Sequence, residues 1–474
     1  MVIAIVLIML LLGSVLFYFL SPWQLTPLAS NWGNMDGTID ITWVVTGFVF
    51  AAVNLFMAYA IIRYRYNKHR RSRYEPENKR LEAWLTGLTT VGIAALLAPG
   101  LFVWASFVTP PEDAHEVEVL GQQWHWSFRF PGRDGQLGAV QARLISDHNP
   151  FGMDPDDPRG QDDVLIQSPR VLLPVDQPVK TLLRSKDVIH NFQVAQFRAK
   201  MDLVPGQVSY IWLTPTRTGE FEILCAELCG IGHFAMRGMV EVVEQAQFDE
   251  WLLSQPTYAE IAAREPGDPS AGQNLYATCA ACHGPEGQGN QATNAPKLAG
   301  MEPWYLIRQL RNFKTGVRGT HPDDTYGQQM QALANTLADR AAMADVAAYI
   351  QALPDPPVAQ TIAADARRGA RIYRTCGACH GAEGQGIQAT NAPRLAGMSD
   401  WYQVRQLKNF QLGIRGGHSQ DLYGSQMMRM AQILVDEEAI RNVVAYIHAL
   451  PSNSLTTTDT KLARRNIGKA REED

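Results

Sequence analysis

Cys225-Ala-Glu227-Leu-Cys229-Gly-Ile-Gly-His233-Phe-Ala-Met236 places two thiols, an imidazole and a thioether within twelve residues. A second histidine lies upstream, in Asp187-Val-Ile-His190. Soft sulfur combined with imidazole selects copper or zinc over hard cations. Two cysteines four positions apart can both bridge one pair of metal ions. A structural zinc uses four Cys or His ligands and would leave Met236 idle. A thioether beside thiolates and imidazoles is instead an electron-transfer copper donor set. The plainer alternatives are a zinc knuckle and a Cys225–Cys229 disulfide, and Met236 and the use of the other cysteines weigh against both.

The chain has six cysteines. The four outside this stretch form Cys279-Ala-Ala-Cys282-His283 and Cys376-Gly-Ala-Cys379-His380. C-x-x-C-H is the c-type haem attachment signature: the thiols form thioethers and the histidine is the proximal iron ligand. Two cysteines for copper and four for haem leave none for a disulfide. Haem is attached covalently outside the cytoplasm, so the chain beyond about residue 110 is expected on the periplasmic side. A net charge of −5 over 474 residues gives no reason to expect nucleic-acid binding.

Three apolar stretches open the chain, at 1–20, 41–63 and 81–108, each long enough to span a bilayer. Between the second and third lies a basic run, Arg63 to Arg73, followed by Lys79 and Arg80, which marks a cytoplasmic loop. The loop between the first and second carries Asp36 and Asp40 and no Lys or Arg, which puts it outside. The expected location is a bacterial inner membrane, multi-pass, with the metal domains periplasmic. Residues 1–20 read as a retained span or an uncleaved signal-like segment, since no basic leader or small-residue cleavage site is evident.

Residues 115–253 alternate in short strand-like runs between Pro, Gly and Asp signals, as an all-β sandwich or barrel does. Within them, 147–163 reads as an exposed loop. Residues 254–269 hold Pro256, Pro266 and Pro269 and read as a linker. An internal repeat follows. Cys376 follows Cys279 by 97 positions, and the register holds without a gap for His283 and His380, Trp304 and Trp401, Tyr349 and Tyr446. The copies occupy 270–354 and 365–452, and the polar tail 453–474 is expected to be disordered.

The first motif resembles the binuclear CuA site of cytochrome c oxidase subunit II. Further matches are Lys186-Asp187-Val-Ile-His190, Lys200-Met-Asp202-Leu-Val-Pro-Gly206 and Gly121-Gln-Gln-Trp124-His125-Trp126-Ser-Phe128, with His125 where the family usually has tyrosine. The two repeats resemble tandem class I cytochrome c domains. The resulting fold class is multidomain: N-terminal transmembrane α-helices, an all-β cupredoxin-like barrel, and two all-α cytochrome c domains.

By this resemblance His190, Cys225, Cys229, His233 and Met236 bind two coppers through side chains, and Glu227 binds through its backbone carbonyl. The Glu227 carboxylate would hold a magnesium ion at the subunit I interface. Trp124 matches the residue that passes electrons from an external cytochrome c. As a bare residue it reads equally as core, on one face with Trp126, Phe128 and Phe130. Glu82, in Leu81-Glu82-Ala-Trp84-Leu-Thr86, matches the carboxylate at the entrance of subunit I's K proton channel. On residue chemistry alone it is an interfacial carboxylate pairing with Lys79 or Arg80.

Each cytochrome domain needs a distal iron ligand, and Met301/Met398, His321/His418 and Met330/Met427 recur in both copies. Class I cytochromes place the axial methionine just before the C-terminal helix, which selects Met330 and Met427. In the second copy Met428 and Met430 are neighbouring rivals.

The resemblance implies a subunit II that takes electrons from c haems through CuA to subunit I, where O2 is reduced to water with proton pumping. It implies subunits I and III, and an external c-type cytochrome or upstream respiratory complex, as partners. The alternatives are the CuA subunit of a nitric oxide reductase and a membrane-anchored electron carrier without a fixed catalytic partner.

Overall fold

The computed structural model describes residues 2–21, 26–69, 71, 76–146, 149–263 and 267–451. The tail expected at 453–474 lies outside them, as do Arg70 and Arg73 of the basic loop.

Helices α1 (Val2–Leu20), α2 (Gly33–Arg63) and α3 (Lys79–Phe107) are each long and apolar enough to cross a membrane. Thr38, Thr42 and Thr46 turn their hydroxyls back onto carbonyls four residues earlier, at 2.8, 2.8 and 2.6 Å. Hydroxyls paired within their own helix are tolerable in hydrocarbon. α2 starts at Gly33, ahead of the apolar stretch that begins at 41. Its first turn is polar because it seats on the β-domain: Asp36 pairs with Arg198 at 2.7 Å, and the Trp32 indole donates to the Trp212 carbonyl at 2.9 Å. The end of α3 reaches the same surface, where Trp212 donates to the Ser106 carbonyl at 3.0 Å.

The β-domain has ten strands: β1 (His115–Gln122), β2 (His125–Phe130), β3 (Val164–Ile166), β4 (Arg170–Pro174), β5 (Val179–Ser185), β6 (His190–Val194), β7 (Ala199–Leu203), β8 (Ser209–Leu213), β9 (Gly219–Cys225) and β10 (Arg237–Val243). They form two five-stranded sheets, ordered β3-β2-β1-β5-β8 and β4-β10-β9-β6-β7. Alternate side chains meet between the sheets, where Val119, Trp126, Leu183, Ile211, Ile223 and Val240 are buried.

The other face of β2 is buried as well, which alternation did not foretell. Arg129 there is 3 % exposed and pairs with Glu118 and, at 2.8 Å, with Asp163. The 149–163 stretch is therefore anchored rather than a free surface loop, with Phe151, Met153 and Asp163 fully buried. A buried guanidinium needs paired carboxylates; β1 supplies Glu118, and the folded loop supplies Asp163 while shutting out water.

The stretch read as a linker is also partly anchored. After α4 (Gln245–Leu253), Thr257 and Glu260 form a reciprocal cap on α5 (Tyr258–Ala262). Tyr258 is buried in a cluster with Leu120, Phe151, Met153 and Leu165. The stretch up to Ala263 thus belongs with the β-domain.

Each repeat is a four-helix unit: α6 (Pro269–His283), α7 (Pro303–Lys314), α8 (Thr325–Ala334) and α9 (Arg340–Ala352), then α10 (Ala366–His380), α11 (Asp400–Gln411), α12 (Leu422–Ala431) and α13 (Glu437–His448). The first and last helices of each unit cross in contact. A Cβ on Gly272 would run into the Asp345 carbonyl, and one on Gly369 into that of Asn442. Only glycine permits so close a crossing.

The units face each other through matched pairs. Arg308 donates to Asn391 Oδ1 at 2.8 Å, and Arg405 reaches Asn294 in return. Arg318 donates to the Tyr402 hydroxyl at 3.0 Å, and Arg415 to the Tyr305 hydroxyl at 2.7 Å. The connector is pinned too, with Asp355 held by Lys297 and Arg394.

Candidate functional site

The β9–β10 connection carries the Cys225–Met236 stretch, and β6, the neighbour of β9, begins at His190. The pairing of Phe192 with Cys225 brings the upstream histidine to the loop. Cys225 Sγ and Cys229 Sγ lie 3.6 Å apart. His190 Nδ1 is 4.0 Å from Cys225 Sγ, and His233 Nδ1 is 3.5 Å from Cys229 Sγ. Met236 Sδ lies 3.7 Å from Cys229 Sγ, and the Glu227 carbonyl 3.1 Å from Cys225 Sγ. Six donor groups therefore converge, and His190, Cys225, Cys229 and Met236 are buried. Two thiolates between two imidazoles, a thioether and a carbonyl suit a pair of soft metal ions. A hydrogen bond between the thiols draws Cys225 well below the ordinary thiol range and pushes Cys229 up, so the pair shares a proton that metal would displace.

Asp187 orients this set, a role that the sequence reading did not assign it. Its carboxylate accepts from His190 Nε2 at 2.8 Å and from the Gln123 amide at 2.7 Å. Burial works to lower the His190 pKa, but the Asp187 and Cys225 hydrogen bonds outweigh it and hold it above the ordinary value. The contact leaves Nδ1 facing the thiols. The signal was available, since Asp187 stands three residues before His190 at the strand entrance.

Trp124 lies flat on the ligand loop, and a Cβ on Gly232 would clash with its ring. Its indole N–H donates to the Cys229 carbonyl at 3.0 Å, and Gln123 Nε2 donates to the same oxygen at 2.8 Å. Trp124 is only 7 % exposed. The second repeat seats beside it: Gln426 of α12 donates to the Trp124 carbonyl at 2.8 Å. Tyr423 donates to the Gln167 carbonyl at 2.5 Å and stands edge-on to His125 at 6.0 Å. Cys379 packs against the apolar cluster that contains Trp124, Cys229 and Met236. His125 is held neutral: burial, with Lys186 nearby, pushes its pKa down to about 3.

Both C-x-x-C-H motifs end their helices and line one continuous cavity between the repeats. His283 Nδ1 donates to the Pro296 carbonyl at 2.8 Å, and His380 Nδ1 to that of Pro393 at 2.7 Å. Burial lowers the pKa of both, which leaves each Nε2 a neutral ligand atom. Apolar walls including Leu310, Phe313, Val346 and Ile350 suit a porphyrin. Arg318 Nε and Arg405 Nη1 are buried at this cavity without hydrogen-bond partners, as donors awaiting carboxylates would be. The residues therefore fit haem and its propionates. Met330, Met427, Met301, Met398 and Met430 line the cavity, whereas His321, His418 and Met428 do not.

The description of the cytochrome c oxidase subunit II periplasmic domain matches residues 115–243, and that of cytochrome c matches 269–354 and 366–451. The alternative cytochrome c oxidase subunit 2 of Bradyrhizobium diazoefficiens is 54 % identical over 264 residues, 56 % of this chain and 95 % of that one. The chain belongs to the cytochrome c oxidase subunit II family. Among solved structures, the periplasmic domain of Bradyrhizobium japonicum oxidase subunit II is 28 % identical, covering 31 % of this chain and 96 % of that one, with a TM-score of 0.23. Reduced cytochrome c4 from Pseudomonas stutzeri is 29 % identical, covering 39 % and 100 %, with a TM-score of 0.32.

In this subunit II chain, CuA and haem c are the cofactors that its domains imply. The candidate copper ligands and both C-x-x-C-H motifs come together as described. Glu82 stands apart, exposed in the first turn of α3. Met427→His should lower the potential of the second haem by about 100 mV or more, a fraction of the roughly 0.8 V that axial ligands span. Redox titration of the purified protein checks this. Met430→Leu is the decisive control, and a shift there with none at Met427→His would reassign the ligand.

Proposed function

We propose that this chain is the electron-transferring subunit of a membrane-bound haem–copper cytochrome c oxidase, taking electrons through its haem domains to CuA and on to subunit I. Subunit I would reduce O2 to water and pump protons. The observation that carries the reading is the seating of α12 on Trp124. It brings the helix of Met427 and the Cys379 edge of the second haem motif against the Cys229 loop.

In this reading His190, Cys225, Cys229, His233, Met236 and the Glu227 carbonyl hold two coppers, and Cys279, Cys282, His283, Met330, Cys376, Cys379, His380 and Met427 hold two haems. Bound there, these groups supply one-electron carriers of small reorganisation. The chain contributes the rest: Asp187 fixes the His190 ring, Trp124 bridges to the Cys229 backbone, and burial keeps water from the ligands. The half-exposed Glu227 carboxylate is the candidate magnesium ligand facing subunit I, and Glu82 the candidate channel entrance. The shared seat of α2's start and α3's end on the β-domain supports a multi-pass anchor with the metal domains on the periplasmic side.

Purification in mild detergent with metal analysis tests this. Two coppers and two acid-acetone-resistant haems per chain are expected, with an O2-reducing subunit copurifying. Copper near one per chain, extractable haem, or a copurifying nitric oxide reductase would overturn the reading.

A further inference from the structure

The two haem domains are copies, and only one has its outer face covered. In the second, the face formed by Thr375, Cys379, Tyr423, Gln426 and Arg429 is half-buried against the β-domain. The first domain carries the same face at Thr278, Cys282, Tyr326, Gln329 and Ala332. There Thr278, Gln329 and Ala332 are exposed, and Tyr326 is 41 % exposed. Nothing among the described residues covers it. Tyr326 is nonetheless held in place, since Arg405 of the second domain lies over its ring at 4.8 Å. The matching stack in the other direction, Arg308 over Tyr423 at 4.9 Å, supports the docked face.

The differences between the two faces follow their occupancy. Arg429 sits near Glu222 and Arg237 of the β-domain, and Ala332 replaces it in the first copy. Leu422 becomes Thr325. A permanent interface favours large apolar and Arg contacts, whereas a surface that partners leave quickly is small and polar.

We propose that the open face of the first haem domain, centred on Tyr326 and Gln329 of α8, is the docking surface for an external donor, a soluble c-type cytochrome presenting its haem edge. The proposal rests on the reading that the haem domains feed CuA. Trp124 is only 7 % exposed, packed on the Cys229 loop with the second repeat seated on its backbone carbonyl, so the open copy of the same face takes its place. One electron moves per encounter. The donor's ferrous iron becomes ferric and the ferric haem held by Cys279, Cys282 and His283 becomes ferrous, with no bond broken and no proton taken up.

The test uses the complete, metal-loaded oxidase carrying Gln329→Cys coupled to a bulky polyethylene glycol maleimide. Anaerobic stopped flow with a ferrous soluble class I cytochrome c should show first-haem reduction slowed about tenfold or more, because docking sets the encounter rate. Hexaammineruthenium(II), which needs no docking face, should reduce the same haem within about twofold of the unlabelled rate. The same label at Ala341→Cys, exposed at the start of α9, should change neither rate. A benzophenone at position 329 should cross-link the cytochrome, and one at 341 should not. A label at 329 without effect, or cross-linking only from 341, overturns the docking surface. In the unlabelled protein, copper reduced before either haem would instead overturn the feeding order on which it rests. Haem reduced first with a silent label would sink the docking face alone.

Discussion

Cys229→Ser is expected to erase the mixed-valence copper signal while both haems stay attached. Cys229 is the hub of the site. Its sulfur lies within 3.7 Å of Cys225 Sγ, His233 Nδ1 and Met236 Sδ, and its carbonyl accepts from Trp124 and Gln123. A serine hydroxyl is a hard, poorly acidic substitute that does not bridge soft metals at neutral pH. The loss of turnover with a cytochrome donor should exceed the roughly 10–100-fold that removing a mere outer-shell partner costs. Near-infrared absorption and electron paramagnetic resonance read the copper, and haem-stained gels read the attachment. A near-infrared band surviving in the variant would contradict the assignment.

Ending the chain after Ala263 should slow oxidation of a ferrous cytochrome c by about a hundredfold, the order of advantage that tethering two sites confers. Residues up to Ala263 are kept because Tyr258 belongs to the β-domain's own packing. Oxidation of hexaammineruthenium(II) should persist, because the copper ligands remain intact. Steady-state oxygen uptake with each reductant distinguishes the outcomes. Full turnover with the cytochrome after truncation would mean that Trp124 receives electrons directly and the haem domains are accessory.

The chemistry of this chain was legible because it depends on residue types at short spacing. C-x-x-C-H and the Cys225–Met236 run are local, and their side chains converge with little help from distant segments. The hydrophobic spans and the 97-residue repeat were legible for the same reason. What escaped reading is non-local. Gln426 stands 302 positions from Trp124, and no pattern within either segment announces that contact. Phe151 and Met153 sit in a stretch rich in Pro, Asp and Gly, yet Arg129, on the supposedly outward face of β2, draws that stretch inward through Asp163. The polar start of α2 looked like a loop because its partner, Arg198, comes 162 residues later. The choice of Met330 and Met427 as candidate axial ligands came from family placement, and the cavity lining removes His321, His418 and Met428 from their rivals.

The reciprocal arginine pairs between the haem domains have a consequence for how the two halves relate. Arg308 to Asn391 and Arg405 to Asn294 are one contact made twice, as are Arg318 to Tyr402 and Arg415 to Tyr305. Such an interface is isologous, the signature of a two-fold homodimer. The fused repeat thus packs as a two-fold dimer does, with both copies carried on one chain. Carried on one chain, the halves need not match on the outside: one copy is seated on the β-domain, and the other leaves its equivalent face open.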